Sequence, residues 1–179
     1  MEMNKLIQET DTLRNEIDKL DVEIKSIKDR EVKKTKEKER LDKLKKYLNK
    51  FNEKSIQTWI QTDISQEGIL FTEFFGRFSG LKDLSTSQIR NVFGEVRRIQ
   101  MKTGENLDLL SLRMLQPKLS YAAARAKKEG TDELKKVLTT AIKTVLEETD
   151  NKKEQEKRFE NFANFFESIL AYHKAYGGN

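Results

Sequence analysis

The sequence predicts an all-α protein: a compact bundle of about five helices, preceded by a long N-terminal coiled-coil helix. Three observations carry that expectation. One proline and eight glycines punctuate 179 residues, too few for a fold of strands and tight turns. Apolar residues recur at spacings of three and four along the chain, and no run alternates convincingly with period two. The first fifty residues hold neither Gly nor Pro and open with a heptad repeat.

The heptads come first. Leu6, Leu13, Leu20 and Ile27 are seven apart, and Thr10, Ile17 and Ile24 interleave with them. The same register then puts Glu31, Lys34 and Lys38 on the seam, so the pattern dissolves until Leu41, Leu44, Leu48 and Phe51. One uninterrupted helix of about 75 Å is the simplest reading. Its stripe needs a cover, from a second copy or from the chain folding back. Charge is segregated along it. Residues 1–27 carry 4 Lys/Arg against 7 Asp/Glu, a net −3, and residues 28–46 carry 10 against 5, a net +5. The basic block reads first as a solvated face with i,i+4 pairs and second as a surface for phosphates.

From Ser55 aromatic residues appear, with Trp59, Phe71, Phe74, Phe75 and Phe78, and a packed domain over 55–178 begins. Ser79-Gly80 reads as a break. Ser85-x-x-Gln88 is a capping-box pattern, followed by Ile89, Val92/Phe93, Val96 and Ile99 at helical spacing up to Gly104. The next helical segment contains Pro117, which predicts a kink or boundary near Leu115–Gln116. Gly130 reads as its C-terminal stop and Thr131 as the cap of the following helix. That helix carries Leu134, Val137/Leu138, Ala141/Ile142 and Val145/Leu146. Asp150 or Asn151 caps the last helix, whose face runs through Phe159, Phe162, Phe165/Phe166, Ile169/Leu170, His173 and Tyr176 to Gly177-Gly178.

The chemistry the sequence offers is narrow. There is no cysteine, which removes disulfides, cysteine–zinc sites and cysteine nucleophiles. No apolar run approaches the roughly 20 residues of a membrane span, and the charged N-terminus has no signal-peptide core, so a cytoplasmic protein is expected. A single histidine, His173, serves the whole chain. No Ser lies in a G-x-S-x-G context, GRFSGLK (76–82) lacks phosphate-loop spacing, and no H-E-x-x-H occurs. No catalytic residue, metal ligand or cofactor is expected. Glu147-Glu148-x-Asp150 reads as a solvated helix end. His173, with Ile169, Leu170 and Tyr176 on its helical face, reads as a core histidine.

The basic residues are more suggestive. The net charge is +5 and the pI about 9.2, a balance compatible with nucleic acid. Arg90 and Arg97 share a helical face, with Arg98 and Lys102 beside them. Lys118, Arg125 and Lys128 follow at spacings of seven and three, with Tyr121 between. Taken singly, each is equally a solvated charge. As sets with an interleaved aromatic they suit RNA backbone contact without base reading.

At these residues a family comes into view. STSQIRN (85–91), LQPKLSYAAAR (115–125) and AYHKAYGG (171–178), in this order and spacing, resemble the small helical subunit of type III-A CRISPR effector (Csm) complexes. The resemblance covers roughly 56–178. It departs at Ala124, where the family tends to have Gly, and at Pro117, and segment 1–50 lies outside it. The resemblance implies a small α-helical bundle without catalytic activity. Several copies would line the guide RNA–target RNA duplex through sequence-independent backbone contacts. Cleavage and cyclic oligoadenylate synthesis would belong to other subunits. The partners implied are guide and target RNA, the backbone and large subunits, and copies of the chain itself. Motif positions carry Arg90, Lys118, Arg125 and Lys174 over as RNA-facing, and the basic faces add Arg97 and Lys128. Tyr121 and Tyr172 match motif positions and are expected to pack. Two other readings compete: a coiled-coil adaptor or scaffold for proteins, and a hydrolase using His173.

Overall fold

A computed structural model of the chain describes residues 2–102 and 107–176, with side chains from Ile7 onward. The expected stops at Gly104 and Gly177-Gly178 lie outside the described residues, as does the side chain of the seam position Leu6. Those residues form eight helices and no strand: α1 Glu2–Ser26, α2 Arg30–Leu48, α3 Glu53–Gln61, α4 Gln66–Leu81, α5 Thr86–Lys102, α6 Leu109–Ala126, α7 Glu129–Leu146 and α8 Lys152–Ala175. They divide into two compact units, 1–50 and 51–179.

The single long N-terminal helix is not what forms. The chain breaks at 27–29 and folds back as an antiparallel hairpin of α1 and α2. Asp29 starts α2: its carboxylate accepts from the N–H groups of Glu31 and Val32 at 2.9 and 3.0 Å. The reason for the reversal is in the seam. Past Ile27 it turns polar, so a continued helix would cover nothing. Folding back lets Leu44 and Tyr47 bury against Thr10, Ile17, Leu20 and Ile24. Charge fixes the register. Glu9–Lys50 (2.9 Å), Glu16–Lys43 (2.8 Å), Asp21–Arg40 and Glu23–Lys36 (3.2 Å) rise along α1 as they fall along α2. Pairs this exposed are worth about 0–1 kcal/mol each, so they select the pairing while apolar burial supplies the stability. Four of the cations in the basic stretch and its flank are thus committed inside the hairpin.

The second unit has six helices, not about five. Its centre is the contact of α4 with α8. Phe71 meets Phe165, Thr72 Oγ1 lies 2.7 Å from Ser168 Oγ, and Gly76 meets Tyr172 and His173. The partners advance together, so α4 and α8 run parallel. α3 and α7 pack on this pair, α5 packs on α8, and α6 bridges α5 and α7. Phe74, Phe162, Phe165, Phe166 and Leu138 are sealed in the middle. Buried polar groups close helix ends. The Asn161 amide donates to the carbonyls of Ile60 and Thr62 at 3.1 and 2.8 Å, capping α3. Asn151 caps α8 through the N–H groups of Lys153 and Glu154.

Three punctuation marks act differently from the expectation. Ser79-Gly80 does not break α4, because Ser79 is buried and its hydroxyl bonds back to the Gly76 carbonyl at 3.1 Å. The turn comes later, at Asp83 with φ 62°. Pro117 sits inside a continuous α6, where both Arg113 and Pro117 are exposed and water can take the carbonyl that loses its donor. Gly130 lies in the first turn of α7 instead of ending α6, and Thr131 is inside that helix, not its cap. The stop is Lys127, in the left-handed region at φ 52°. Gly130 is small because α7 lands on the end of α4: its N–H donates to the Lys82 carbonyl at 3.1 Å, and a Cβ would stand 2.7 Å from the Ser79 carbonyl oxygen.

Candidate nucleic-acid interface

The expected basic residues fall on α5, α6, the α6–α7 junction and α8. α5 starts where expected, with Ser85 Oγ accepting from the Gln88 N–H (3.2 Å) and Gln88 Oε1 from the Ser85 N–H (3.0 Å). Ile89, Val96 and Ile99 bury one face. The opposite face, with Arg90, Asn91, Gly94 and Arg98, is open to solvent. α6 buries Leu112, Leu115, Leu119 and Ala123 and turns Lys118, Tyr121 and Arg125 outward.

Two ion pairs set α5 and α6 antiparallel: Lys118–Glu95, and Lys128–Asp83 at 3.3 Å. In that register Arg90 lies level with Tyr121 and Ala122, Arg125 near the start of α5, and Gly94 level with Lys118. So Arg90 on the outward face of α5 and Lys118, Tyr121 and Arg125 on α6 are exposed at similar heights of two adjacent antiparallel helices. Arg90 and Arg125 are exposed and form no ion pair or side-chain hydrogen bond among the described residues. Tyr121, expected to pack, is 69% exposed, which leaves its ring available to a partner.

The other three expected residues are placed differently. Arg97 turns from this surface toward α8: it pairs with Glu167 at 2.7 Å, bonds Gln100 at 2.9 Å and lies 5.1 Å from the Phe93 ring centroid. Lys128 caps the N-terminus of α7 by backbone alone and is held by Asp83. Lys174 is exposed on the last turn of α8, and no contact among the described residues brings it beside the α5–α6 set.

Two features of this surface escaped the sequence reading. Glu95 sits among the cations, paired with both Lys118 and Arg98. The hydrogen bond from Lys118, with Arg98 beside it, holds its carboxyl below the ordinary value. The Arg98 pairing is an i,i+3 neighbour and was readable; the Lys118 pairing spans two helices and was not. Gly94 is the second feature. It is the middle residue of α5 and exposed, and a Cβ there would have nothing within 4 Å. A helix-interior glycine costs about 1 kcal/mol relative to alanine, and nothing inside the protein requires it.

The AYHKAY end of α8 is a packing device. His173 is fully buried, its Nδ1 3.2 Å from Ser79 Oγ. Burial pushes its pKa down, partly offset by the Gly76 carbonyl. Both groups are sealed from solvent, so this Ser–His contact offers no place for a substrate. Tyr172 stacks on Tyr176, and Tyr176 covers the buried Arg77, whose guanidinium is 3.6 Å from the ring centroid. The Tyr176 hydroxyl donates to Glu73 at 3.2 Å. Among the described residues no three His, Asp or Glu side chains gather in a way that could hold a metal ion, and no helix is long and apolar enough to cross a membrane.

Comparison with known proteins gives one match. The family model described as Csm2 Type III-A matches residues 69–179, which covers α5 to α8 and most of α4. No curated protein and no solved structure matches.

Proposed function

Because the chain belongs to the Csm2 family, the small subunits of type III-A CRISPR effector complexes, we propose that it lines the guide RNA–target RNA duplex as a non-catalytic subunit. It holds the sugar–phosphate backbones and reads no base. The observation that carries this is the two-helix surface. Arg90 and Arg125 stand exposed and unpaired among the described residues, level with the exposed Tyr121, and Lys118 lies one turn along. Arg presents a planar fork to phosphate and Lys a point charge. An exposed tyrosine stacks on a base or ribose without sequence preference. Arg97, Lys128 and Lys174 belong to the proposal as flanking cations. Arg97 and Lys128 must first exchange a carboxylate for a phosphate.

The partners proposed are the guide and target RNAs, the backbone and large subunits, and neighbouring copies of the chain. The adaptor reading now has a specific home. The α1–α2 hairpin lies outside the family match and covers its own seam, so it is a finished module that a protein partner would meet from outside.

The test is binding of the full chain to an RNA of about 40 nucleotides across a salt series, beside Arg90→Ala/Lys118→Ala/Arg125→Ala. Binding through Z phosphates should weaken with log salt at a slope of about −0.7Z on single strands, and the triple variant should lose about three such contacts. A triple variant that binds like the wild type sinks the assignment of this surface.

A further inference from the structure

We propose that the α5 face centred on Gly94 seats a phosphate of an RNA backbone, and that Gly94 lacks a side chain so that the strand can lie directly against the helix. This rests on the RNA-lining reading and fixes where strand and protein touch. On a helix the neighbours of position 94 are 90, 91, 97 and 98. Here they are Arg90, Asn91, Arg97 and Arg98. By helical spacing three arginines and an asparagine thus surround a position with no side chain, where a Cβ would meet nothing outside its own helix backbone within 4 Å. Arg90 is unpaired among the described residues, while Arg97 leans to Glu167 and Arg98 to Glu95.

Glycines with an internal reason show the contrast, and Gly68, whose Cβ would stand 3.0 Å from Ile64 and 3.1 Å from Trp59, is one of them. At Gly76 and Gly130 a Cβ would come within 2.7 Å of backbone atoms of a packed helix or helix end. Gly94 meets nothing in its own chain. The close approach it permits is therefore to something outside.

The ring decides what that something is. A partner helix packing over a glycine would need apolar residues around it, and the surrounding positions 90, 91, 97 and 98 supply none. An anion with several acceptor oxygens fits three guanidiniums and an amide. The ion pairs flanking the seat, Arg97–Glu167 and Arg98–Glu95, are partly exposed, so a phosphate can take over either arginine.

The experiment uses the full chain, a 40-nucleotide RNA and the variants Gly94→Ala and Gly94→Gln. Neither changes the charge, and both residues favour the helix. Gly94→Ala should raise the thermal midpoint, and Gly94→Gln should at least keep it. Both should weaken RNA binding, Gly94→Gln by about tenfold or more, the scale of one charged hydrogen bond. Gly94→Gln binding within twofold of the wild type overturns the proposal. If Arg90→Ala/Lys118→Ala/Arg125→Ala has lost binding in the same series, the RNA-lining reading survives and only the seat is wrong. Wild type without salt-sensitive binding overturns both. Inorganic phosphate that displaces the RNA at matched ionic strength far better than chloride does marks a free-anion site and overturns the backbone assignment.

Discussion

Replacing Gly76 with alanine sets two known forces against each other. Intrinsic helix propensity favours alanine by about 1 kcal/mol. Packing opposes it. The new Cβ would stand 2.7 Å from the His173 nitrogen, 2.8 Å from Tyr172 Cβ and 3.0 Å from the Tyr172 carbonyl carbon. Two of these are backbone atoms inside α8, so no rotamer relieves the clash. Carbon atoms pack at about 3.5–4.0 Å, so α4 and α8 must part by roughly 1 Å, a gap that forfeits a quarter to a half of each contact's dispersion energy. The interface that opens is the centre of the bundle, with Phe74, Phe162 and Phe166 fully buried. Overpacking a tight core costs about 1–3 kcal/mol and more where the backbone cannot yield. We expect a net loss of about 2–3 kcal/mol, a fall of roughly 6–12 °C in Tm for a unit of this size. Urea unfolding followed by Trp59 measures it, because Trp59 is the only tryptophan and is buried between Phe51, Phe71 and Phe165. A midpoint at or above that of the wild type would refute the close-crossing argument.

Glu95→Gln removes the anion that now occupies Lys118 and Arg98. RNA should bind several-fold more tightly, with a steeper salt slope by about 0.7; weaker binding would mean that Glu95 positions the cations instead of competing for them. His173 should make the fold acid-sensitive. Burial holds its pKa below the ordinary histidine value of about 6.5, so the folded ring stays neutral while the unfolded chain gains a proton as pH falls through that value. Stability is full above pH ~6.5 and declines below it by up to about 1.4 kcal/mol per pH unit. Melts between pH 7.5 and 5.5 should show this slope in the wild type and a flatter one in His173→Gln; equal slopes would contradict it. Glu9→Cys/Lys50→Cys tests the hairpin in a chain free of native cysteine. The tips of the native side chains meet at 2.9 Å when folded back, which puts the two positions within reach of a short bis-maleimide, whereas they are about 60 Å apart along one straight helix. The cross-linker should give a monomer that migrates faster on denaturing gels, and cross-linked dimers alone would restore the long-helix reading.

Helices were legible in the sequence wherever a 3.6-residue stripe met a local cap: Ser85 with Gln88, and Asn151 before α8. What failed needed a partner far along the chain. A heptad seam states that a cover exists, not its direction; the direction came from Glu9, Glu16, Asp21 and Glu23 finding cations up to 41 residues away. Ser79-Gly80 and Gly130 looked like breaks because small residues break isolated helices, yet here Ser79 and Gly130 serve close contacts between α4, α7 and α8. The basic faces were legible as periodic charge. Which cations remain available was not, since Arg97, Lys118 and Lys128 are tied to carboxylates 70, 23 and 45 residues away. Tyr121, a motif position expected to pack, is instead turned outward by its angle on α6.

The most direct test of the RNA-lining account places the Arg90→Ala/Lys118→Ala/Arg125→Ala chain in a reconstituted effector complex with guide and target RNA, and follows target release as salt rises. The account predicts normal subunit stoichiometry, faster release, and the same acceleration for targets of unrelated sequence. Unchanged release from a fully assembled complex, or a variant that cannot join the complex at all, would contradict it and assign this surface to a protein partner.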